Sequence, residues 1–474
     1  MRLLLLMIER VARCAGLGQC TDTQCGGRQR LCCKLFARPS VCARRGARCE
    51  GCCGWINGPT VACTNVSEPH KFDFPRDVGP HLNFSGELWW YLGVLDAVNV
   101  ATGAKRTLGL QLSFIRGTSV CGASAWPENT IVSDFAIADV PPELQSASPP
   151  TFRYHHRIDA AGAAHLKGTT MRTLPYALTV GSSLAQGLGA WGVSALGNVT
   201  GGVQVLDAHS VAMRAHLQLS VPATNHLMGR RGVGHACDAW YHVSKPRLAV
   251  RDGWIALPSG NYSVASAAMA TEAGEAADGG KREGADARAA STSAGANALW
   301  LQHIWWSANG ACGGRLPTWD WMYLHLDDGS NLAVVLFLDD VAIVPGACRG
   351  LSNSYGNLIS PDGAVNTLLN ATNGELCVKA KRPWTSNASN LTYATAHTIE
   401  IELASGEALV LDVATLMDDN EVSFGALPIA YYEGASRALG VRTDAGGGVR
   451  PLAGRGFTEH QGYSTASINK KKRG

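Results

Sequence analysis

The 474-residue chain carries a formal charge of +3, and its length fits two to four domains or two large β domains. Charged residues make up 17%, well under the roughly 25% of average globular proteins, so nothing marks the concentrated basic face of a nucleic-acid binder. Its 54 glycines and 13 tryptophans, against 10 phenylalanines and 11 tyrosines, suit β-rich domains with apolar interiors, and no apolar run approaches the ~18 residues of a transmembrane helix.

Arg2 and the run Leu3 to Ile8 read as a signal peptide within residues 1–15, although Glu9 and Arg10 interrupt the apolar stretch. An incomplete gene start or a cytosolic protein is the competing reading. Residues 1–63 form a Cys-rich module: ten of the fifteen cysteines are Cys14, Cys20, Cys25, Cys32, Cys33, Cys42, Cys49, Cys52, Cys53 and Cys63. That density marks a disulfide scaffold of unreadable connectivity. A zinc site is disfavoured, because only Cys49 and Cys52 have CxxC spacing and no His lies near. No metal and no cofactor are expected. Asn-x-Ser/Thr sequons at Asn65, Asn83, Asn198, Asn261, Asn370, Asn387 and Asn390 agree with an oxidising compartment. The chain is therefore expected to be secreted or to reside in the secretory pathway, with cytoplasm or plastid as the alternative.

From residue 64 to 264 the chain shows short runs of period two separated by turn residues. Glu87–Val98 and Thr107–Arg116 flank Thr102-Gly103, and Arg247–Arg251 and Trp254–Leu257 flank Asp252-Gly253. Both read as hairpins. Residues 265–297 are rich in Ala, Gly, Glu and Ser and lack aromatics, so they cannot bury a core and are expected to be disordered. A second β set occupies 298–465. Thr318–Leu326 and Asn331–Leu338 flank Asp327-Asp328-Gly329, and His397–Leu403 and Ala408–Val413 flank Ser405-Gly406. The tail 466–474 is basic and reads as a solvated end. No βαβ rhythm interrupts the hairpins, so the class is all-β, a sandwich or barrel. The runs read as half-buried with one apolar face, and a meander of them that closes on itself encloses a small-ligand cavity.

Several segments carry a resemblance. They are Phe74-Pro75-Arg76-Asp77 with Glu87-Leu88-Trp89-Trp90-Tyr91-Leu92-Gly93; Leu110-Gln111-Leu112-Ser113-Phe114-Ile115-Arg116; Trp240-Tyr241-His242-Val243-Ser244-Lys245-Pro246-Arg247-Leu248; Trp300-Leu301-Gln302-His303-Ile304-Trp305 with Trp319-Asp320-Trp321-Met322-Tyr323 and the following Asp327-Asp328-Gly329; and Tyr432-Glu433-Gly434 with Gly456-Phe457-Thr458-Glu459-His460-Gln461-Gly462-Tyr463. In this order they cover about residues 68–464, and together the chain resembles the carotenoid 1,2-hydratase (hydroxyneurosporene synthase) and AttH family of lipocalin-like proteins, kievitone hydratase among its secreted fungal relatives. The resemblance implies two lipocalin-like antiparallel β-barrel domains packed together, with the Cys-rich module as an addition. It also implies a hydrophobic small-molecule partner and hydration of an isolated C=C of an isoprenoid or prenylated compound. A non-catalytic carrier and a lipocalin-like pericyclase are the rivals. The oligomeric state is not readable.

Two departures from the family pattern stand out. Gln302 precedes His303 where members often carry Asp, and Asp134 stands where many carry His. Hydrating a trisubstituted alkene needs an acid held neutral, brief tolerance of a tertiary cation, and access for water. Burial in an apolar barrel raises a carboxyl pKa, aromatic faces steady a cation by roughly 2 kcal/mol each, and a positioned acid adds about 10² to 10⁴. In the hydratases a His-x-Trp and an aromatic-x-Asp pair are the proposed active residues. By position these are His303, Trp305, Phe337 and Asp339, with Asp320 and Glu87 as further catalytic carboxylates. Trp319, Trp321 and Tyr323 share the face opposite Asp320 by period two. With Trp89 and Trp90 they complete the expected substrate-binding set. Each has a bland alternative: Trp stripes as core, Asp339 as a solvated turn residue, His303 as a core histidine, Asp320 facing solvent or a domain interface.

Overall fold

A computed structural model describes residues 64–463 except 75, 82, 118–129, 141–153, 162–163, 168–176, 182–189, 197–201, 210–212, 237–238, 265–296, 308–317 and 424–429. The Cys-rich module, the expected signal peptide, the 265–296 insert, the basic tail and Asn198 lie outside the described residues. Within them the protein is all-β, with only short 3₁₀ turns besides the strands.

The first sheet holds β1 (Gly86–Asn99), β2 (Lys105–Gly117), β3 (Thr130–Val140), β4 (Tyr154–Ala161), β5 (Ala164–Lys167), β6 (Ala177–Gly181), β7 (Ala190–Leu196), β8 (Val203–His209), β9 (Arg214–Ser220), β10 (His226–Leu227), β11 (Val233–His235), β12 (Ala239–Leu257), β13 (Gly260–Ser263) and β14 (Ala298–Trp306). The second holds β15 (Thr318–Leu326), β16 (Asn331–Leu338), β17 (Cys348–Arg349), β18 (Tyr355–Ile359), β19 (Asn366–Asn370), β20 (Leu376–Thr385), β21 (Thr392–Glu402), β22 (Ala408–Thr415), β23 (Glu421–Ser423), β24 (Ala430–Thr443) and β25 (Val449–Gln461). Each sheet curls antiparallel around its own apolar core, giving a lipocalin-like pair. A disulfide, Cys348–Cys377, joins β17 to β20.

Three of the expected hairpins form as read: β1–β2, β15–β16 and β21–β22. Gly103, Gly329 and Gly406 take the positive φ that their turns require. Asp252-Gly253 is not a turn. It lies inside the continuous strand β12, where the register against β9 shifts between Val250 and Asp252. A Cβ on Gly253 would fall 2.5 Å from His216 O and from Leu217 Cδ2, so this glycine serves close strand approach at a bulge. The segment Ala298–Trp306, expected to open the second β set, instead pairs with β1 and β12 in the first sheet.

The expectation of half-buried strands also changes. Period two assigns Trp89, Tyr91 and Leu95 of β1 to the first barrel's core, while Leu88, Trp90, Leu92 and Val94 join a third apolar cluster. That cluster includes Trp300 and Trp306 of β14, Trp321 and Tyr323 of β15, Val335 and Phe337 of β16, Tyr431 and Ala435 of β24, and Phe457 of β25. It is the layer between the barrels. The central strands are covered on both faces, and so read as nearly unbroken apolar runs.

Candidate functional site between the barrels

Among the described residues, buried carboxylates that bear on the expected site lie in three distinct places. The first is at one end of the first barrel. Glu87 on β1 accepts His303 Nε2–H at 2.9 Å, His81 Nδ1–H at 2.8 Å and Arg116 Nε–H at 3.1 Å. Arg116 also donates to the carbonyls of His81 and Phe84 at 2.8 and 3.1 Å. Burial alone would raise the Glu87 pKa, but His81, His303 and Arg116 outweigh it and hold the carboxyl well below the usual range. Burial lowers the His303 pKa against the pull of Glu87. His81 stacks on Trp305 at 3.9 Å, and Trp89 lies over His303 at 4.9 Å. Phe72, Phe74 and Phe84 of the segment before β1 pack with Trp305 and Tyr241. The centre thus ties a strap across the barrel end. Gln302 does not leave His303 without an orienting carboxylate, because Glu87 supplies one from the neighbouring strand.

The second centre lies inside the second barrel. Asp320 accepts Arg349 Nη1–H, His460 Nδ1–H and Tyr463 O–H, each at 2.6 Å. His460 Nε2–H donates to Ala394 O at 2.8 Å. Burial pushes Asp320 up, but His460 and Arg349 more than reverse this and keep it ionised. Among the described residues, two sets of side chains bring three ligand atoms within metal-binding reach: His81, Glu87 and His303, and Asp320, His397 and His460. In each set the carboxylate is already neutralised by a guanidinium, from Arg116 or Arg349.

The third centre lies in the layer between the barrels. Glu433 on β24 and Glu459 on β25 are direct cross-strand partners, and Trp321 of β15 pairs with Glu459 on its other side. Trp319 Nε1–H donates to Glu459 Oε1 at 3.1 Å. Neither oxygen of Glu433 has a hydrogen-bond partner. Burial, then the neighbouring Glu459 and Asp134, raise the Glu433 pKa far above the ordinary value. Burial also raises Glu459, against the Trp319 hydrogen bond. From the first barrel, Gln111 Nε2–H donates to Asp134 Oδ2 at 3.0 Å, and Tyr431 O–H reaches the same carboxylate across the layer. Trp300 packs on Tyr323 at 5.0 Å and edge-on to Trp321 at 6.4 Å. The barrels touch closely at Gly109, where a Cβ would lie 2.5 Å from the Ala435 Cβ. Trp319, Ile115 and Ile304 are partly exposed and mark the rim.

The expected site residues therefore divide. Trp90, Trp319, Trp321, Tyr323 and Phe337 meet in this layer, while Trp89, His303, Trp305 and Glu87 face the first barrel and Asp320 the second. Asp339 is exposed, because β16 ends at Leu338 and the chain turns out. None of Asp339, Asp320 and Glu87 is a neutral buried acid. Glu433 and Glu459 fall outside the expected site set, although both lie in segments that carry the family resemblance. Their signal was a carboxylate at an inward position of each of two consecutive buried strands. Six sequon asparagines are described; Asn65, Asn83, Asn261, Asn387 and Asn390 are exposed and Asn370 half-buried.

Residues 293–463 match the AttH-like family model. Among solved structures the chain is similar to a protein described as AttH from Nitrosomonas europaea, at 21% identity and a TM-score of 0.55, covering 84% of this chain and 99% of that one. It is also similar to kievitone hydratase from Nectria haematococca, at 13% identity and a TM-score of 0.53, covering 86% and 98%. At these identities the likeness shows the fold. No curated protein sequence matches significantly.

Proposed function

We propose that the protein is a hydratase that adds water to an isolated C=C of an isoprenoid or prenylated small molecule held between the barrels. The observation that carries this reading is the Glu433–Glu459 pair, two fully buried carboxyls side by side among tryptophans. Alkene hydration starts from a neutral acid, and desolvation plus a like-charge neighbour is what keeps a carboxyl protonated. The name of the structural neighbour kievitone hydratase and the AttH-like match add support.

The two carboxyls take different roles. Glu459 accepts the Trp319 N–H, which favours its charged form, whereas Glu433 has no donor and stays protonated. In the proposed cycle the Glu433 O–H bond breaks and its proton forms a C–H bond at the less substituted alkene carbon. The resulting tertiary cation lies against the Trp321 and Tyr323 faces. A water lone pair closes the C–O bond, and Glu459 takes the proton that this water loses. Passing that proton back to Glu433 restores the starting state, so the pair shares one proton, as coupled carboxyl dyads do. The exposed sequons and the Cys348–Cys377 disulfide support an oxidising, secretory compartment. The test incubates the purified chain with prenylated phenols in H₂¹⁸O. Mass spectrometry should find one ¹⁸O-labelled tertiary hydroxyl, and its absence over a panel of prenyl and isoprenoid substrates would reject the reading in favour of a carrier.

A further inference from the structure

The outer wall of the first barrel carries an exposed apolar patch. Trp254 on β12 is 46% exposed, Val98 near the end of β1 43%, and Val100 just beyond it 69%. Strand register gathers them. The short strand β13 runs between β1 and β12, and Ser263 lies directly between Val98 and Trp254. One step along, Asn261 pairs with Ala256 on one side, and its carbonyl accepts Val100 N–H at 2.8 Å on the other. Tyr262 belongs to the barrel core, so period two turns Asn261 and Ser263 outward together. The row continues past Trp254. His216 on β9 stacks on the indole with ring centroids 6.1 Å apart, and its Nδ1 lies 2.6 Å from Asp207 Oδ1 on β8. Among the described residues Trp254 is the one exposed aromatic side chain, and a clustered apolar patch of this kind marks a contact surface.

The sequence names what covers it. Asn261-Tyr262-Ser263 is a sequon, and its asparagine sits in the middle of the patch. An N-linked glycan begins with N-acetylglucosamine, whose ring presents C–H groups on its faces and carries an acetamido methyl. Such C–H groups pack on an indole and remove apolar area from water, while the hydroxyls at the ring edge bond to water and to polar groups such as His216 and Asp207. Diagonal neighbours on one sheet face lie about 7–8 Å apart, which puts Trp254 within the reach of the first sugars on Asn261. A ligand tethered this close has a high effective concentration, so a weak contact suffices. We infer that the oligosaccharide on Asn261 folds back onto Trp254, flanked by Val98 and Val100, and that the patch is a docking surface for this chain's own glycan. The inference rests on the secretory reading of the sequons.

The test secretes the full chain from a eukaryotic host and maps its glycopeptides by mass spectrometry. Hydroxyl-radical footprinting of the folded protein then reads the exposure of Trp254. With the glycan in place, Trp254 should be oxidised severalfold more slowly than after enzymatic release of the glycans from the folded chain, and than in Asn261→Gln. Leu439, 59% exposed on the second barrel, should be oxidised equally in all three. Trp254→Ser should speed enzymatic release of the Asn261 glycan, because sugars lifted off the ring are open to attack. Circular dichroism verifies that both variants fold. An occupied Asn261 whose glycan leaves Trp254 oxidation unchanged would overturn the inference. So would an empty Asn261 in a chain whose other exposed sequons, such as Asn387, carry glycans, an outcome that leaves the compartment standing. Glycans at no sequon would overturn both. Turnover enters none of these readouts, so the hydratase reading is tested separately.

Discussion

Glu433 and Glu459 sit directly opposite each other on β24 and β25, and only the second accepts the Trp319 N–H. In the proposed cycle, that difference between two otherwise similar neighbours is what separates the acid from the base. Glu433→Gln keeps the shape and loses the acidic proton. Turnover should fall by about 10² or more, while the dissociation constant moves little, a pattern that marks loss of a transition-state interaction. Single-turnover kinetics beside calorimetry check this; a variant with full turnover would exclude Glu433 as the acid.

The same pair makes a pH prediction of opposite sign to that of the ion-paired centres. Glu433 holds its proton in the folded state above the ordinary glutamate value of 4.5. Its contribution is complete below that value and is lost as pH rises through its folded pKa. Glu87 and Asp320 are shifted down, so their contribution exists above the ordinary carboxylate range and is lost as pH falls below it. Melting temperature should therefore fall on both sides of a mildly acidic optimum. Glu433→Gln should flatten the neutral-to-alkaline limb by several degrees and leave the acid limb unchanged. A parallel shift of both limbs would contradict the assignment.

Much of this fold was legible because period two is a strong signal. The β15–β16 hairpin and the opposition of Asp320 to Trp319 and Trp321 follow from alternation alone. Alternation separates two faces but does not say what covers each. Alternation therefore cannot separate the tryptophans of β15 from His303, although the barrel wall divides them. The Glu87–His303 hydrogen bond spans 216 residues of sequence, and nothing local announces it. Asp252-Gly253 shows the converse: a turn dipeptide whose glycine is needed for a close strand crossing.

Arg116 is fully buried against Glu87 and two strap carbonyls. Arg116→Met removes the cation and leaves the carboxylate with two histidines alone. A broken buried pair costs about 3–5 kcal/mol, and the strap over residues 64–84 loses two of its anchors. Hydrogen exchange should accelerate in this segment before the second barrel is affected. Uniform exchange across both barrels would mean that the centre holds no separate strap.

Gly109 sets how closely the barrels approach. Gly109→Val would place carbon inside Ala435 and against Ala138, and overpacking of this kind costs about 1–3 kcal/mol. Ala435→Gly in the same chain removes the Cβ in conflict and should recover most of the loss. The double-mutant cycle measures that coupling in denaturant melts. Additive effects would show that the residues do not meet.

The sequence groups Trp305 and Trp321 in one pocket, and the structure places them in different centres. Trp305 lies under His81 within the strap centre, 1% exposed, and touches Tyr241 and Phe72. Trp321 lies in the layer beside Glu459, its indole N–H unpaired. Truncating a buried Trp to Ala costs about 3–5 kcal/mol. Trp305→Ala should lower stability by this order and leave ligand affinity per folded molecule within about threefold. Trp321→Phe keeps most of the apolar area and loses the donor. It should weaken binding of a ligand that accepts this N–H about tenfold while the melting temperature changes by a few degrees at most. Melts and calorimetry on both variants decide the matter. If Trp305→Ala abolishes binding in protein that is still folded, the ligand enters the first barrel and the layer between the barrels is core.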